Sequence, residues 1–191
     1  MKHRIIAISR QFGSGGRSIG KALAAKLGIA CYDQELIAML AEKSGFSQSH
    51  VAELNEESTR SSILPGRAER VERSLQHALW QKQRDVILEL AEKERCVIVG
   101  RCADYILRDR DDVLRVYIHA DKEKRAERIV KVYGEREDAP LKRIADKDKR
   151  RTSYYESFTT NKWGDAENYH VALDSGELGI DTCVDVLAAL F

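Results

Sequence analysis

The sequence lacks a long apolar run, a cysteine pair and an excess of charge of either sign. Its longest apolar stretches are a handful of residues, far below the roughly 20 that a membrane-spanning helix requires. The opening MKHRIIAISR carries no extended apolar segment and no small-residue cleavage site, so a cytoplasmic protein with no membrane contact is expected. Cys31, Cys96, Cys102 and Cys183 form no CxxC pair and meet no histidine at metal-ligand spacing, which argues against both a disulfide framework and a zinc site. Reduced thiols are expected. The five histidines are equally scattered and receive no role. With 32 Lys and Arg against 31 Asp and Glu, the net charge of +1 points neither to nucleic acid nor to an anionic surface.

What remains is a soluble, globular composition, 43% hydrophobic and 33% charged, and 191 residues suffice for one domain with a sizeable core. A single folding unit over residues 1–191 is expected. Apolar, β-branched runs at 5–8, 96–99, 113–118 and 169–173 are each followed by a helical stretch, and a short strand is expected at 29–32. Strands alternating with helices imply an α/β fold whose parallel sheet is covered on both faces. The first helix, 18–27, carries Ile19, Leu23 and Leu27 on one stripe and stops at Gly28.

Two segments interrupt the alternation. Residues 33–94 contain no convincing strand and read as a helical insertion with a break at SSILPGR, 61–67. Within it, 68–94 forms one long amphipathic helix through Val71, Leu75, Ala78, Leu79, Val86 and Leu90, with a solvated face of mixed charge. Leu79, Trp80 and Ile87 exceed what one stripe absorbs, so a homodimer through this helix is an expectation. Residues 121–163 are rich in Arg and Lys, and read as two charged helices joined by YGEREDAP, 133–140.

The chemistry concentrates in SRQFGSGGRS, 9–18, between the first strand and the first helix. That succession aims backbone N–H groups and the positive helix end at one point, a site for phosphate. The full phosphate-loop pattern, GxxxxGK[ST], uses its lysine on the outer phosphates and its hydroxyl on magnesium. Here the lysine is missing. Two registers fit: Gly16, Arg17 and Ser18 at the GK[ST] positions, or Gly15 and Gly16 at the GK positions of a GKG[ST] variant. Both put Ser18 at the metal and leave Arg17 as the triphosphate contact, since arginine keeps the charge and can grip phosphate oxygens in a fork. Gly13, Ser14, Gly15, Gly16, Arg17 and Ser18 are therefore the candidate donor-phosphate residues.

Residues 5–18 (IIAISRQFGSGGRS), followed by YDQELI at 32–37, VIVGRCADYIL at 97–107, VYIHADKEKRAERI at 116–129 and DKDKRRTSYYESFT at 146–159, resemble the cytidylate kinase-like proteins. These are a branch of the P-loop nucleoside monophosphate kinases. The resemblance implies a three-layer P-loop kinase fold with about five parallel strands, a helical acceptor-side insertion at 33–94 and a lid at 128–163. It further implies ATP and Mg2+, with CMP or dCMP as acceptor. Asp33, Arg101 and Asp104 match the acceptor side, although Cys102 and Ala103 displace the aspartate of the family's GRD-type motif to Asp104. Arg128, Lys147 and Arg150, with Arg17, match the cations that balance the transferring phosphoryl group. Closure of the insertion and lid would exclude water. The aromatics Tyr154, Tyr155, Phe158 and Trp163 depart from the family's usual lid, and packing is the expected role for them. The missing lysine leaves two alternatives: a nucleotide-binding module that lost efficient catalysis, and a kinase of a non-nucleotide metabolite.

Overall fold

The structure, a computed structural model, describes residues 3–33, 35–45 and 67–191. Strand β1 (Ile5–Arg10) leads through the glycine-rich loop into α1 (Gly16–Leu27), and β2 (Ala30–Tyr32) leads into α2 (Glu35–Ser44). The long α3 (Arg67–Lys93), β3 (Cys96–Val99), the short α4 (Ala103–Ile106) and β4 (Val113–His119) follow. After these come α5 (Lys122–Lys131), α6 (Pro140–Phe158), β5 (Val171–Asp174) and α7 (Ser175–Leu190). The break expected at 61–67 lies outside the described residues except for Arg67, as does most of the 33–66 stretch beyond α2.

All strand pairs are parallel and the sheet runs β2-β3-β1-β4-β5, so five strands and helical coverage arise where the apolar runs place them. Successive strand residues point to opposite faces. Ile5 and Ala7 of β1 accordingly join Cys96 and Ile98 in a cluster under α3, while Ile6 and Ile8 join Val97 and Val99 under α1 and α7. Both faces are covered, which is why the strands read as unbroken apolar runs rather than alternating ones. On α1, Ile19 and Leu23 fill the second cluster and Gly28, at φ 65°, ends the helix by donating to Ala25.

Leu79, Trp80 and Ile87 of α3 all lie in the first cluster. Trp80 stacks on Phe158 at 4.8 Å and meets Tyr154 edge-on at 6.4 Å, so α6 covers the apolar excess that suggested a dimer face. Tyr155 is likewise buried, and Trp163 meets Tyr117 edge-on and donates to the Ser9 hydroxyl, so the aromatics pack α6 and the segment after it against the core. Among the described residues no helix is long and apolar enough to cross a membrane, and no group of three or more His, Cys, Asp and Glu is poised to hold a metal ion. None of the four cysteines is in a disulfide, and burial pushes the Cys96 thiol up to about 12, which keeps it neutral.

Candidate active site

In this strand order β1 is flanked by β3 on one side and β4 on the other, which makes its carboxyl end the place where open α/β sheets bind ligands. A cavity of about 370 Å³ opens there. Gly13, Gly15, Gly16, Arg17 and Ser18 line it, with Arg10, Arg101 and Arg151 adding three more guanidinium groups and Asp33 and Glu135 two carboxylates. Arginine outnumbers carboxylate two to one, so the cavity favours an anion.

The loop is shaped from within. Gly15 adopts φ 81°, a backbone that side chains rarely tolerate, and turns the chain so that α1 begins at Gly16, with its first residues on the cavity wall. Ser14 does not join that row. Its N–H and its hydroxyl both return to the Gln11 carbonyl, and its side chain is fully buried, so it holds the loop's shape instead of lining the cavity. Ser18 lies on the cavity wall at the second turn position after Gly16, where a hydroxyl could take a metal ion bound to phosphate.

Arg17 also lines the cavity, but its guanidinium is ion-paired with Asp33, the residue expected on the acceptor side. The replacement for the missing lysine is therefore partly neutralised. Arg101 supplies the contrast. The residue is only 8% exposed, it lines the cavity, and its Nη1 has no hydrogen-bond partner among the described residues. A buried guanidinium nitrogen left unsatisfied is costly, and an anion in the cavity would satisfy it.

Arg10 was not singled out by the motif, yet it lines the cavity, and its side chain passes so close to Gly100 that a Cβ there would strike its guanidinium. Gly100 is needed for that passage as well as for its φ of 78°.

The remaining expected cations separate. Arg128 is not a cavity residue: Nη1 donates to the Gly13 carbonyl at 3.1 Å and Nη2 to the Ser175 carbonyl at 3.3 Å, strapping the loop to the start of α7. Lys147 and Arg150 also lie off the cavity wall, with Lys147 Nζ 5.8 Å from the centre of the Phe12 ring. Arg151, the next residue, does line the cavity and donates to the Arg10 carbonyl at 3.0 Å. The signal that separates it is helical phase, because Ile144, Arg151 and Tyr155 are the buried residues of α6.

Asp104 is not on the cavity wall either. It is buried and accepts from the Tyr155 hydroxyl at 2.7 Å, which ties the turn after β3 to α6. Burial and the adjacent carboxylate push the Tyr155 phenol well above its usual range, so it remains a donor.

Helix α6 is bonded to the loop directly. Asp148 accepts from the Phe12 N–H at 2.8 Å and from the buried Arg125 at 2.6 Å, and Arg125 in turn donates to the Phe12 carbonyl at 3.1 Å. Tyr133 and Glu135, in the connection between α5 and α6, also line the cavity. Glu135 is held by its N–H on the Ile129 carbonyl and by Arg143 at 3.4 Å.

A model of the cytidylate kinase-like family matches residues 5–177. The chain belongs to that family. Among solved structures, an uncharacterized protein from Eubacterium ventriosum is 28% identical with a TM-score of 0.74, covering 97% of this chain and 96% of its own. A shikimate kinase from Bacteroides thetaiotaomicron is 17% identical with a TM-score of 0.57, covering 97% of both chains. A gluconokinase from Sinorhizobium meliloti is 16% identical with a TM-score of 0.55, covering 100% of this chain and 95% of its own. At such identities the two kinases show the fold alone, and that fold is the P-loop kinase fold. A search of curated proteins found no match. Family and fold together make this a P-loop kinase-like protein with the architecture of a phosphotransferase.

Proposed function

We propose that the protein transfers the γ-phosphoryl group of ATP to a nucleoside monophosphate, with CMP and dCMP the first acceptors to try. The observation that carries this reading is Arg101: a buried arginine that lines one cavity with the phosphate loop and has a guanidinium nitrogen unsatisfied among the described residues. Phosphoryl transfer asks a protein for positioning and charge balance more than for covalent chemistry, and this cavity is built of those. The N–H groups of Gly13, Gly15 and Gly16 and the positive end of α1 would hold the donor phosphates, and Arg101 the phosphate of the acceptor. Arg10 and Arg151 would balance the charge that develops between them. The donor set fits magnesium modestly, with the Ser18 hydroxyl as its protein ligand and phosphate oxygens and water completing the sphere. Magnesium, when bound, would neutralise phosphate charge.

A second reading is favoured by a separate observation. Asp33 and Glu135 put carboxylates on the cavity wall. A phosphate acceptor is already nucleophilic and gains little from them, whereas a neutral hydroxyl needs a group to accept its proton. A small hydroxyl-bearing metabolite is therefore the alternative acceptor.

An ADP-release assay with ATP and magnesium, run over nucleoside monophosphates and over sugar and polyol acceptors, separates the two readings. Turnover with a monophosphate that is lost in Arg101→Ala supports the first. Turnover only with an uncharged alcohol selects the second, and tight ATP binding without acceptor-dependent release selects a binding module.

A further inference from the structure

Helix α3 buries Leu79, Trp80, Val86, Ile87, Leu90 and Ala91, and on the same face it fully buries Gln83. A primary amide in an apolar stripe is tolerated when its hydrogen bonds are made. Gln83 makes them on both sides. Its Nε2 donates to the Arg101 carbonyl at 2.9 Å, and its Oε1 accepts from the Tyr154 hydroxyl at 3.3 Å. A carbonyl can only accept, so the chemistry fixes which end of the amide faces Arg101.

The backbone that Gln83 holds is unusual. Gly100, Arg101 and Cys102 take φ values of 78°, 60° and 53° in succession. Arginine and cysteine seldom adopt that region, and such backbone persists where its surroundings over-determine it. Here the surroundings are specific. Gln83 holds the middle residue of the turn from α3, and Asp104, two residues beyond the turn, is held from α6 by Tyr155 at 2.7 Å. The adjacent tyrosines Tyr154 and Tyr155 thus brace one turn from one helix, the first of them through Gln83. What that turn displays is Arg101, a residue only 8% exposed that lines the cavity, with Nη1 unpartnered among the described residues.

We propose that Gln83 is a positioning residue for an anion clamp at Arg101, and that the Gln83–Tyr154 bond makes the clamp's geometry depend on α6 being seated. The proposal rests on the reading of this cavity as a phosphate site. If Gln83 merely filled volume, methionine, unbranched and similar in size, would serve equally well.

The test is a titration of the full chain with inorganic phosphate, followed by tryptophan fluorescence, in wild type, Arg101→Ala, Gln83→Met, Tyr154→Phe and the Gln83→Met/Arg101→Ala double variant. Gln83→Met should weaken binding about tenfold and Tyr154→Phe about threefold, the scale of one lost hydrogen bond. In the Arg101→Ala background, Gln83→Met should have no further effect, a coupling that loss of general packing would not produce. Wild-type affinity in Gln83→Met, or an equal loss with and without Arg101, overturns the proposal. Should Gln83→Met fail to fold, Tyr154→Phe decides, and wild-type affinity there overturns it. No binding by wild type, or undiminished binding by Arg101→Ala, overturns the phosphate reading and the proposal together.

Discussion

Arg17 and Asp33, which sequence matching assigns to opposite substrates, are ion-paired with each other at the cavity wall. The loop's substitute for lysine is thus engaged before a nucleotide arrives, and a triphosphate must compete with a carboxylate for it. Removing that competitor should strengthen donor binding even as it harms the reaction. Asp33→Asn is expected to bind ATP more tightly by roughly tenfold, as the competent form of Arg17 becomes the populated one. Calorimetric titration with ATP checks this, and weaker binding than wild type would count against Arg17 as a phosphate contact.

Three of the neighbouring cations of α6, Lys147, Arg150 and Arg151, should differ sharply in consequence. Arg151→Ala, which empties a cavity position, is expected to lower acceptor-dependent ADP release by about 100-fold, the scale of losing one preorganised charge contact. Lys147→Ala and Arg150→Ala should stay within a few-fold of wild type. Arg128→Ala should instead act on stability, by about 1–2 kcal/mol, because it releases two carbonyls at the loop and at α7. Urea unfolding measures that difference.

Tyr155 to Asp104 is a buried hydrogen bond to an acid group. Tyr155→Phe retains the ring and leaves the carboxyl without this donor, so a loss of about 1.5–3 kcal/mol is expected in urea unfolding. The same variant should loosen α6 from the turn that carries Arg101.

Arg110 grips Asp112 with two parallel bonds of 2.9 Å, while the Asp112 carbonyl accepts from Arg4 and Ile5 at the start of β1. The hydrogen bonds from Arg110 hold the Asp112 carboxyl below its usual range. A depressed pKa in the folded state stabilises the protein above the unfolded value of about 3.9 and is lost as pH falls through the folded value. Because both side chains remain partly exposed, the contribution is about 1 kcal/mol. Asp112→Asn should therefore be less stable than wild type at pH 7, and the gap should close as the pH is lowered below about 4. Urea midpoints at pH 7 and pH 3 give the comparison.

Much of the fold could be read from local chemistry, because a residue's neighbours along the chain dictate it. The apolar runs at β1, β3 and β4, the stripe of α1 and its stop at Gly28 are of this kind. The loop glycines and Ser18 were legible for the same reason. What the sequence concealed was phase and pairing across distance. Lys147, Arg150 and Arg151 look alike until Ile144 and Tyr155 fix which side of α6 is buried, and helical neighbours differ in direction by about 100°. Arg17 and Asp33 lie on separate elements, and no periodicity announces their bond. Asp104 and Arg128 fit a motif, yet in the folded chain each is committed to a structural partner. Gln83 left a trace that could have been seen: a polar residue on the stripe that runs through Leu79, Val86, Ile87 and Leu90.

The bond from the Phe12 N–H to Asp148 makes one amide of the phosphate loop dependent on a helix more than a hundred positions away in the chain. Such an amide exchanges with solvent deuterium when its bond opens, as it must when that helix lifts. Phe12 is thus a built-in clock for the departure of α6, and its exchange with and without nucleotide times how often the roof of the cavity comes off.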